Sequence, residues 1–475
     1  MEIKEREIID KHRERAKGGF SSLQKFVVDQ KSCNYCGCCV SACPTDVLAM
    51  GDESPQLIGE CNECGICYLA CPRTFLPMTQ IQEWLFKTDV IPPLGSYIRA
   101  ALASSTSRKI LDRAPDGGIT TTVFTYLLQN KLVDAVITTG KQHDGAWCYH
   151  PRPMIVTDPA DLLEAMDRKY DPNPLLSVLK EAARFKKVAF AGLPCHVLGL
   201  SKLRYAAHAY EEILPALYKT ARKLTSNIDF VVGIGCMCRM GKGTWDVMLR
   251  EQGVKSEKEV KRHYEERITG DYVFFLEGGG EARVGHRRII NNPHPMCFLC
   301  SDYDGYFSDI TIDRSEYQEY STVLIRNKKG EDVFNQCLEK QLVTTRELPD
   351  EGRDFLESMT PVLQSLVDFD AYGYEHYLKE GSFIKDATSR DMMSHFENRR
   401  LRGIPENIFL ELLKKYPQFE FALKKRKELG YENTDIYLPV KTGRGRNENT
   451  EGMFHGDVSV IRRYGVARLA RDSHC

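Results

Sequence analysis

Nine of the 17 cysteines fall between Cys33 and Cys71, in two runs of the same spacing. The first reads Cys33-Asn-Tyr-Cys36-Gly-Cys-Cys39-Val-Ser-Ala-Cys43-Pro44, the second Cys61-Asn-Glu-Cys64-Gly-Ile-Cys67-Tyr-Leu-Ala-Cys71-Pro72. Both are C-x2-C-x2-C-x3-C-P. Three thiolates spaced this way wrap one iron–sulfur cube within a tight loop, and the fourth, at a short helix, reaches across to the other cube. The proline ends each loop and removes a donor that would have no partner there. The spacing predicts one [4Fe-4S] cluster on Cys33, Cys36, Cys39 and Cys71 and a second on Cys61, Cys64, Cys67 and Cys43. Zinc sites use two C-x2-C knuckles rather than two four-cysteine runs each closed by proline. Cys38 is surplus and reads as structural.

This module resembles a two-cluster bacterial-type ferredoxin domain. Three further features lie beyond it. Ala114-Pro115-Asp116-Gly117-Gly118-Ile119-Thr120 stands directly before a helical stretch. Adjacent glycines allow close approach to a ligand, and a helix N-terminus offers free N–H groups to an anion; a plain helix cap explains the same residues. Arg168-Lys169-Tyr170 precedes a helix opened by Pro174. A cation and a phenol there could hold a phosphate and stack on a ring, or form an ordinary surface loop. Finally, Cys195 and Cys236 follow expected strands, and Cys297-x2-Cys300 comes later. Thiols at the C-terminal ends of strands lie where open α/β sheets build sites. Cys195, Cys236, Cys297 and Cys300 are enough for a third [4Fe-4S] cluster, with zinc or inert thiols as alternatives, and Cys238 competes with Cys236. His196, beside Cys195, reads as a cofactor neighbour or as a hydrogen-bonded structural residue.

With those residues in view, the chain resembles the beta subunit of coenzyme F420 hydrogenases and dehydrogenases (the coenzyme's name, not a residue). The matching segments are Asp116-Gly117-Gly118 with Thr120, Lys169-Tyr170 leading into Pro174-Leu-Leu, Gly192-Leu-Pro194-Cys195, the Cys236 loop, and Cys297-x2-Cys300 followed by Asp309-Ile310. The resemblance implies FAD and three [4Fe-4S] clusters. It implies Asp116, Gly117, Gly118, Thr120, Lys169, Tyr170, Pro194 and His196 around the cofactors. It also implies coenzyme F420 as substrate, and a partner redox complex of the hydrogenase, heterodisulfide-reductase-like or membrane dehydrogenase kind. The chain departs from the family pattern at Pro115, at Asp167-Arg168, and at Cys238-Arg239-Met240 after Cys236.

The elements that must position these residues follow from periodicity. Residues 1–27 read as a helical segment, 28–90 as the ferredoxin domain, 91–345 as a mixed α/β flavin-binding domain, and 346–475 as a helical extension with a flexible tail that could serve docking. Val133–Thr139, Lys187–Ala191, Phe230–Ile234 and Tyr272–Leu276 read as strands. Thr120–Asn130, Pro174–Phe185 and Thr244–Gln252 read as helices, and the glycines at 278–280 as a hairpin turn. Asn407–Tyr416 and Phe419–Leu429 read as polar helices.

Composition excludes other classes. With 65 basic against 66 acidic residues the chain carries no field for a nucleic-acid backbone. No run approaches the roughly 18 apolar residues of a membrane span, and the charged N-terminus is unlike a signal peptide. The expected place is cytoplasmic, or peripheral to a membrane complex. The expected function is an oxidoreductase exchanging hydride between coenzyme F420 and FAD and passing single electrons through the clusters. The alternatives are a flavoenzyme of the same family acting on another organic substrate, and a non-catalytic electron-transfer subunit. The lack of G-x-G-x-x-G after a strand argues against a nicotinamide site.

Overall fold

The computed structural model describes residues 3–29, 32–88, 94–141, 151–166, 169, 171–236, 239, 249–255, 260–265, 272–276, 278–284, 302, 304–315, 317 and 319–349. All but the last of these belong to one compact unit, Met1–Cys297 with Asp302–Leu348. Tyr170, Cys238, Cys297, Cys300 and residues 350–475 of the expected C-terminal helical extension lie outside the described residues, as does most of Thr244–Gln252; Arg346, the first residue of that extension, ends a strand of the sheet instead.

The N-terminal lobe is α1 (Ile3–Ala16), α2 (Phe20–Leu23) running into a π turn over Gln24–Val28, α3 (Cys38–Ala42), the strand pair β1 (Leu48–Met50) and β2 (Pro55–Leu57), α4 (Ile66–Ala70) and α5 (Met78–Phe86). β1 and β2 pair antiparallel, Leu48 opposite Leu57. The lobe is an internal repeat: a cysteine loop leads into a five-residue helix twice. Each helix starts after a left-handed glycine, Gly37 at φ 82° and Gly65 at φ 71°. Between the first two cysteines of each loop a non-glycine residue is also left-handed, Tyr35 at φ 55° and Glu63 at φ 56°.

The remainder is built on an eight-stranded mixed sheet. Its strands are β3 (Arg99–Ser105), β4 (Ala135–Lys141), β5 (Pro151–Val156), β6 (Val188–Gly192), β7 (Ile228–Ile234), β11 (Ile310–Arg314), β12 (Ser321–Ile325) and β13 (Val343–Arg346), in the order β13-β3-β12-β11-β7-β6-β4-β5. The four central strands, β11, β7, β6 and β4, run parallel to one another. The flanking pairs are antiparallel. A separate three-stranded antiparallel sheet holds β8 (Val260–Glu265), β9 (Tyr272–Leu276) and β10 (Glu281–Val284), so the strand expected at Tyr272–Leu276 belongs to this sheet. The turn joining β9 to β10 has Gly279 and Gly280 at φ 85° and 88° with open space where a Cβ would stand, which makes it a hairpin turn.

Both faces of the large sheet are apolar, as parallel strands require. Ala189, Ala191, Phe230 and Val232 face one layer, covered by Val123 and Phe124 of α7 (Ile119–Gln129) and Val333 and Phe334 of α11 (Lys328–Glu339). Val188, Phe190 and Val231 face the other, covered by α8 (Leu179–Ala182), α9 (Pro194–Ala209) and α10 (Pro215–Thr225). Side chains alternate between faces because successive Cβ atoms do. A bulge at β6–β7, where Val188 pairs Ile228 and Ala189 pairs Phe230, resets that alternation.

The second layer does not end at the α/β elements. The same core takes in Ile9, Cys36, Cys38, Ala42, Ile66, Ala70 and Ile81 of the N-terminal lobe. The helix expected over Pro174–Phe185 shows why. It is a 3-10 turn over Leu175–Val178 followed by the short α8. The Leu176 amide donates to the Cys36 carbonyl at 2.8 Å, and the Ser41 hydroxyl donates to the Leu176 carbonyl. Tertiary hydrogen bonds to the first cysteine loop outcompete the helical ones.

The entry into β3 is tied down by Arg326, which is buried. Its guanidinium donates to the Leu94 carbonyl at 2.8 Å, the Ser96 carbonyl at 3.1 Å, the Asp304 carbonyl at 3.3 Å and the Thr311 hydroxyl at 2.7 Å. Arg326→Met leaves these buried acceptors without a donor. It is expected to lower the unfolding free energy by on the order of 3–5 kcal/mol, read as a fall in the urea midpoint at unchanged slope.

Candidate functional site

The two cysteine runs enclose two cavities. Cys33, Cys36 and Cys39 of the first run and Cys71 of the second line one space, together with Leu23, Val27, Met50 and Pro55. Cys61, Cys64 and Cys67 of the second run and Cys43 of the first line the other, together with Phe20, Val47 and Leu48. The fourth thiol of each run thus stands with the other run's three. Among the described residues no three His, Cys, Asp or Glu side chains converge on a single-ion site. The thiols surround a wider space, which suits a cube better than the roughly 2.3 Å shell of zinc.

The backbone prepares the sulfurs. The amides of Tyr35, Glu63 and Arg73 point at the sulfurs of Cys33, Cys61 and Cys71, each at 3.4 Å. Asn34 and Asn62 accept from the amides of Cys36 and Cys64, each at 3.3 Å. Hydrogen bonds to cluster sulfurs are one of the levers on reduction potential. Left-handed Gly37 packs on the α/β elements: a Cβ there would lie 2.6 Å from the Pro174 carbonyl oxygen. Cys38 is fully buried and its thiol donates to the Ala70 carbonyl at 3.3 Å.

Burial pushes the Cys33, Cys67 and Cys71 thiols up to about 12. Burial also raises Cys39 well above its ordinary value; at Cys36 the neighbouring Cys38 side chain contributes more than burial. These sites hold thiolates only when a cationic centre replaces the protons. The two cavities differ in exposure. Cys36, Cys39 and Cys71 are buried, whereas Cys64 is exposed, with the exposed Leu57 and Ile58 nearby in the chain.

The other candidate thiols stand at the sheet. β6 and β7 are neighbours in parallel, with Gly192 opposite Gly233. Cys195 is the second residue of α9 after β6, and Cys236 follows β7, so both stand beyond the C-terminal ends of adjacent strands. Cys195 is buried and Cys236 half-buried. Burial raises the Cys195 thiol, and both Arg239 and Cys36 act on it by charge, which places the first cysteine loop close by. Asn34 bridges them, its side-chain amide donating to the Cys195 carbonyl at 3.4 Å.

His196 is buried and neutral: burial, then the Arg239 charge, lowers its pKa to about 3. Its Nδ1 accepts from the Leu193 amide at 3.2 Å, capping the start of α9, and its Nε2 donates to the Asn173 carbonyl at 2.8 Å, tying that helix to the loop before Leu175. Pro194 is the first residue of that helix. Lys169 donates to the carbonyls of Ala165 and Met166, at 2.6 and 3.2 Å.

Asp116, Gly117 and Gly118 lie before α7. Gly118, left-handed at φ 67°, caps the helix without a side-chain hydrogen bond. The first-turn amides, including that of Thr120, therefore keep the capacity to receive a phosphate. Gly117 itself is pressed between strands: its carbonyl accepts from the Ser105 amide at 2.7 Å and its amide donates to the Ser321 hydroxyl at 3.1 Å.

Three buried charged residues near these sites have no role in the sequence reading, where Arg239 stands only as a departure from the family pattern. Lys202 on α9 donates to the Cys71 carbonyl at 2.6 Å and to the Thr74 hydroxyl at 2.9 Å. Arg239 donates to the Asn34 carbonyl at 2.6 Å. Asp302 accepts from the amides of Asp304 and Gly305, at 3.0 and 2.6 Å. An isolated charge carries no spacing signal that would have marked any of them.

The family model for the coenzyme F420 hydrogenase/dehydrogenase beta subunit N-terminal region matches residues 100–180, and that for its C-terminal region matches 185–351. The chain belongs to this family. A 4Fe-4S binding domain model matches residues 26–49, in line with a ferredoxin-type lobe that holds [4Fe-4S] clusters. Relatives of the family are oxidoreductases. The coenzyme F420 hydrogenase subunit beta of Methanosarcina barkeri is 27% identical over 274 residues, 56% of this chain and 89% of that protein. The coenzyme F420-dependent sulfite reductase of Methanocaldococcus jannaschii is 28% identical over 327 residues, 68% of this chain but 48% of that protein. A chain of the F420-reducing [NiFe] hydrogenase complex from Methanosarcina barkeri superposes with a TM-score of 0.50 at 26% identity, covering 58% of this chain and 91% of that one.

The family's paired glycines have a packing role that can be separated from ligand binding. A Cβ on Gly117 would lie 2.3 Å from the Ala103 carbonyl oxygen and 2.6 Å from the Ser321 amide, both backbone atoms. Gly117→Ala is therefore expected to destabilise even flavin-free protein by about 1–3 kcal/mol, checked by denaturant unfolding of the stripped chain.

Proposed function

We propose that the chain is an electron-input subunit of a larger redox complex, exchanging hydride between coenzyme F420 and FAD and single electrons with a partner through three [4Fe-4S] clusters. The proposed ligand sets are Cys33, Cys36, Cys39 and Cys71; Cys61, Cys64, Cys67 and Cys43; and Cys195, Cys236, Cys297 and Cys300. The observation that carries the reading is the contact between the first thiol cavity and the Cys195 loop, made through Asn34. A one-electron chain needs its centres brought together, and here a ferredoxin lobe meets the strand ends where α/β sheets bind cofactors.

When bound, the flavin would convert hydride chemistry to single-electron chemistry, which the clusters require. The chain's residues would hold and shield these groups. The first turn of α7, with Asp116 and Thr120 beside it, would receive the FAD diphosphate, and Lys169 and Tyr170 would hold the flavin or the anionic coenzyme tail. No acid or base side chain is required for hydride transfer itself. The exposed rim at Cys64 is the proposed face toward a partner subunit, of the kind the hydrogenase complex of Methanosarcina barkeri represents among the relatives.

Two experiments test this. Flavin-replete protein, kept anaerobic, is mixed with reduced coenzyme F420 and separately with NADH; bleaching is expected with the first alone. No bleaching with reduced coenzyme F420 would overturn the substrate assignment and favour a family member acting on another organic compound. The relatives include one such enzyme, the 7-hydroxymethyl chlorophyll a reductase of Oryza sativa, 24% identical over 238 residues, of which this chain covers 45%. In the second test, Cys43→Ala is expected to remove the electron paramagnetic resonance signal that Cys64→Ala also removes, and to spare the one that Cys36→Ala removes. The opposite pairing would mean that each run binds its own cube.

A further inference from the structure

Arg239 is 1% exposed, among the most buried of the large side chains. Its Nη2 donates at 2.6 Å to the carbonyl of Asn34, one of the two residues between Cys33 and Cys36. The Asn34 side chain in turn accepts from the Cys36 amide at 3.3 Å and donates to the Cys195 carbonyl at 3.4 Å. The guanidinium is therefore anchored at the seam between the first cysteine loop and the loop of Cys195. Arginine remains charged even when buried.

The other thiol cavity has a different charge environment. The cation beside it, Lys180, donates to the Cys43 carbonyl but is paired with Asp46 and is about one-third exposed. Solvent and the carboxylate both weaken its field. Arg239, by contrast, is buried and bonded directly to the backbone of the first loop.

We propose that Arg239 sets the first cluster, on Cys33, Cys36, Cys39 and Cys71, at a higher reduction potential than its twin in the same lobe, making it the electron-holding relay of the chain. This rests on the cluster ligation proposed above. A cluster gains one negative charge on reduction, and a buried guanidinium at its loop stabilises the reduced form against the oxidised one. The two runs match in cysteine spacing and in the left-handed glycine before each helix, so their spacing alone does not distinguish the two cubes.

The test is an anaerobic potentiometric titration of the cluster-loaded full chain, followed by electron paramagnetic resonance. Each signal is assigned by which of Cys36→Ser and Cys64→Ser removes it. In Arg239→Gln the Cys36-dependent midpoint is expected to fall by at least a tenfold change in the reduced-to-oxidised ratio, 59 mV for a one-electron couple. The Cys64-dependent midpoint should stay in place. Arg239→Lys, which keeps the charge but not the guanidinium geometry, should restore most of the shift. An unmoved midpoint in Arg239→Gln, equal movement of both midpoints, or Arg239→Lys behaving like Arg239→Gln each overturns the proposal. If Arg239→Gln does not load its clusters, Arg239→Lys decides: a midpoint near that of the unaltered chain supports a role for charge, and one displaced by tenfold or more overturns it. Absence of two separable signals in the unaltered chain would instead count against the ligation itself.

Discussion

The arrangement depends on helix α9 lying against the first cysteine loop. Its second residue is Cys195, its sixth is Gly199, and its ninth is Lys202. A Cβ on Gly199 would come within 3.7 Å of the Cys36 sulfur and 2.8 Å of a Leu176 methyl. One helical turn later Lys202 closes on the Cys71 carbonyl. A single rigid rod thus meets the first thiol cavity and carries a thiol of the sheet site, which fixes their separation. Apolar burial on both sides supplies the adhesion, and the buried hydrogen bonds supply the register.

Burial has a consequence for charge. A thiolate in an apolar interior is unfavourable, and three or four together are more so. The first cavity offsets this with amide donors and with the cations Arg239 and Lys202. The second does so with amide donors and proximity to water at Cys64. The internal repeat preserved the ligand loops while the surroundings diverged.

The cysteine module was legible because its information is local: four thiols, a left-handed glycine and a proline within a dozen residues. The strands at the sheet centre were legible for a similar reason, being short apolar runs. Helix α9 was not read, since every side chain of its first ten residues, Pro194 to Leu203, is buried and that stretch offers no polar stripe for the helical period to show. The Pro174–Phe185 helix is broken at its start because the Leu176 amide is claimed by the Cys36 carbonyl, 140 residues earlier in the chain. Arg239 and Lys202 stand 205 and 131 residues from the groups they bond. Asp116-Gly117-Gly118 was read as either a ligand loop or a cap, and the structure adds a third reason for its second residue, the close approach of two strands.

The ferredoxin lobe and the α/β sheet share one core. Ile66, Ala70 and Ile81 sit in the same apolar cluster as Phe190, Val197 and Leu200. The lobe is therefore not a bead on a string. The helical layer that it packs on would expose apolar surface to water without it, so the cysteine lobe completes the interior of the α/β unit as well as carrying its own thiols.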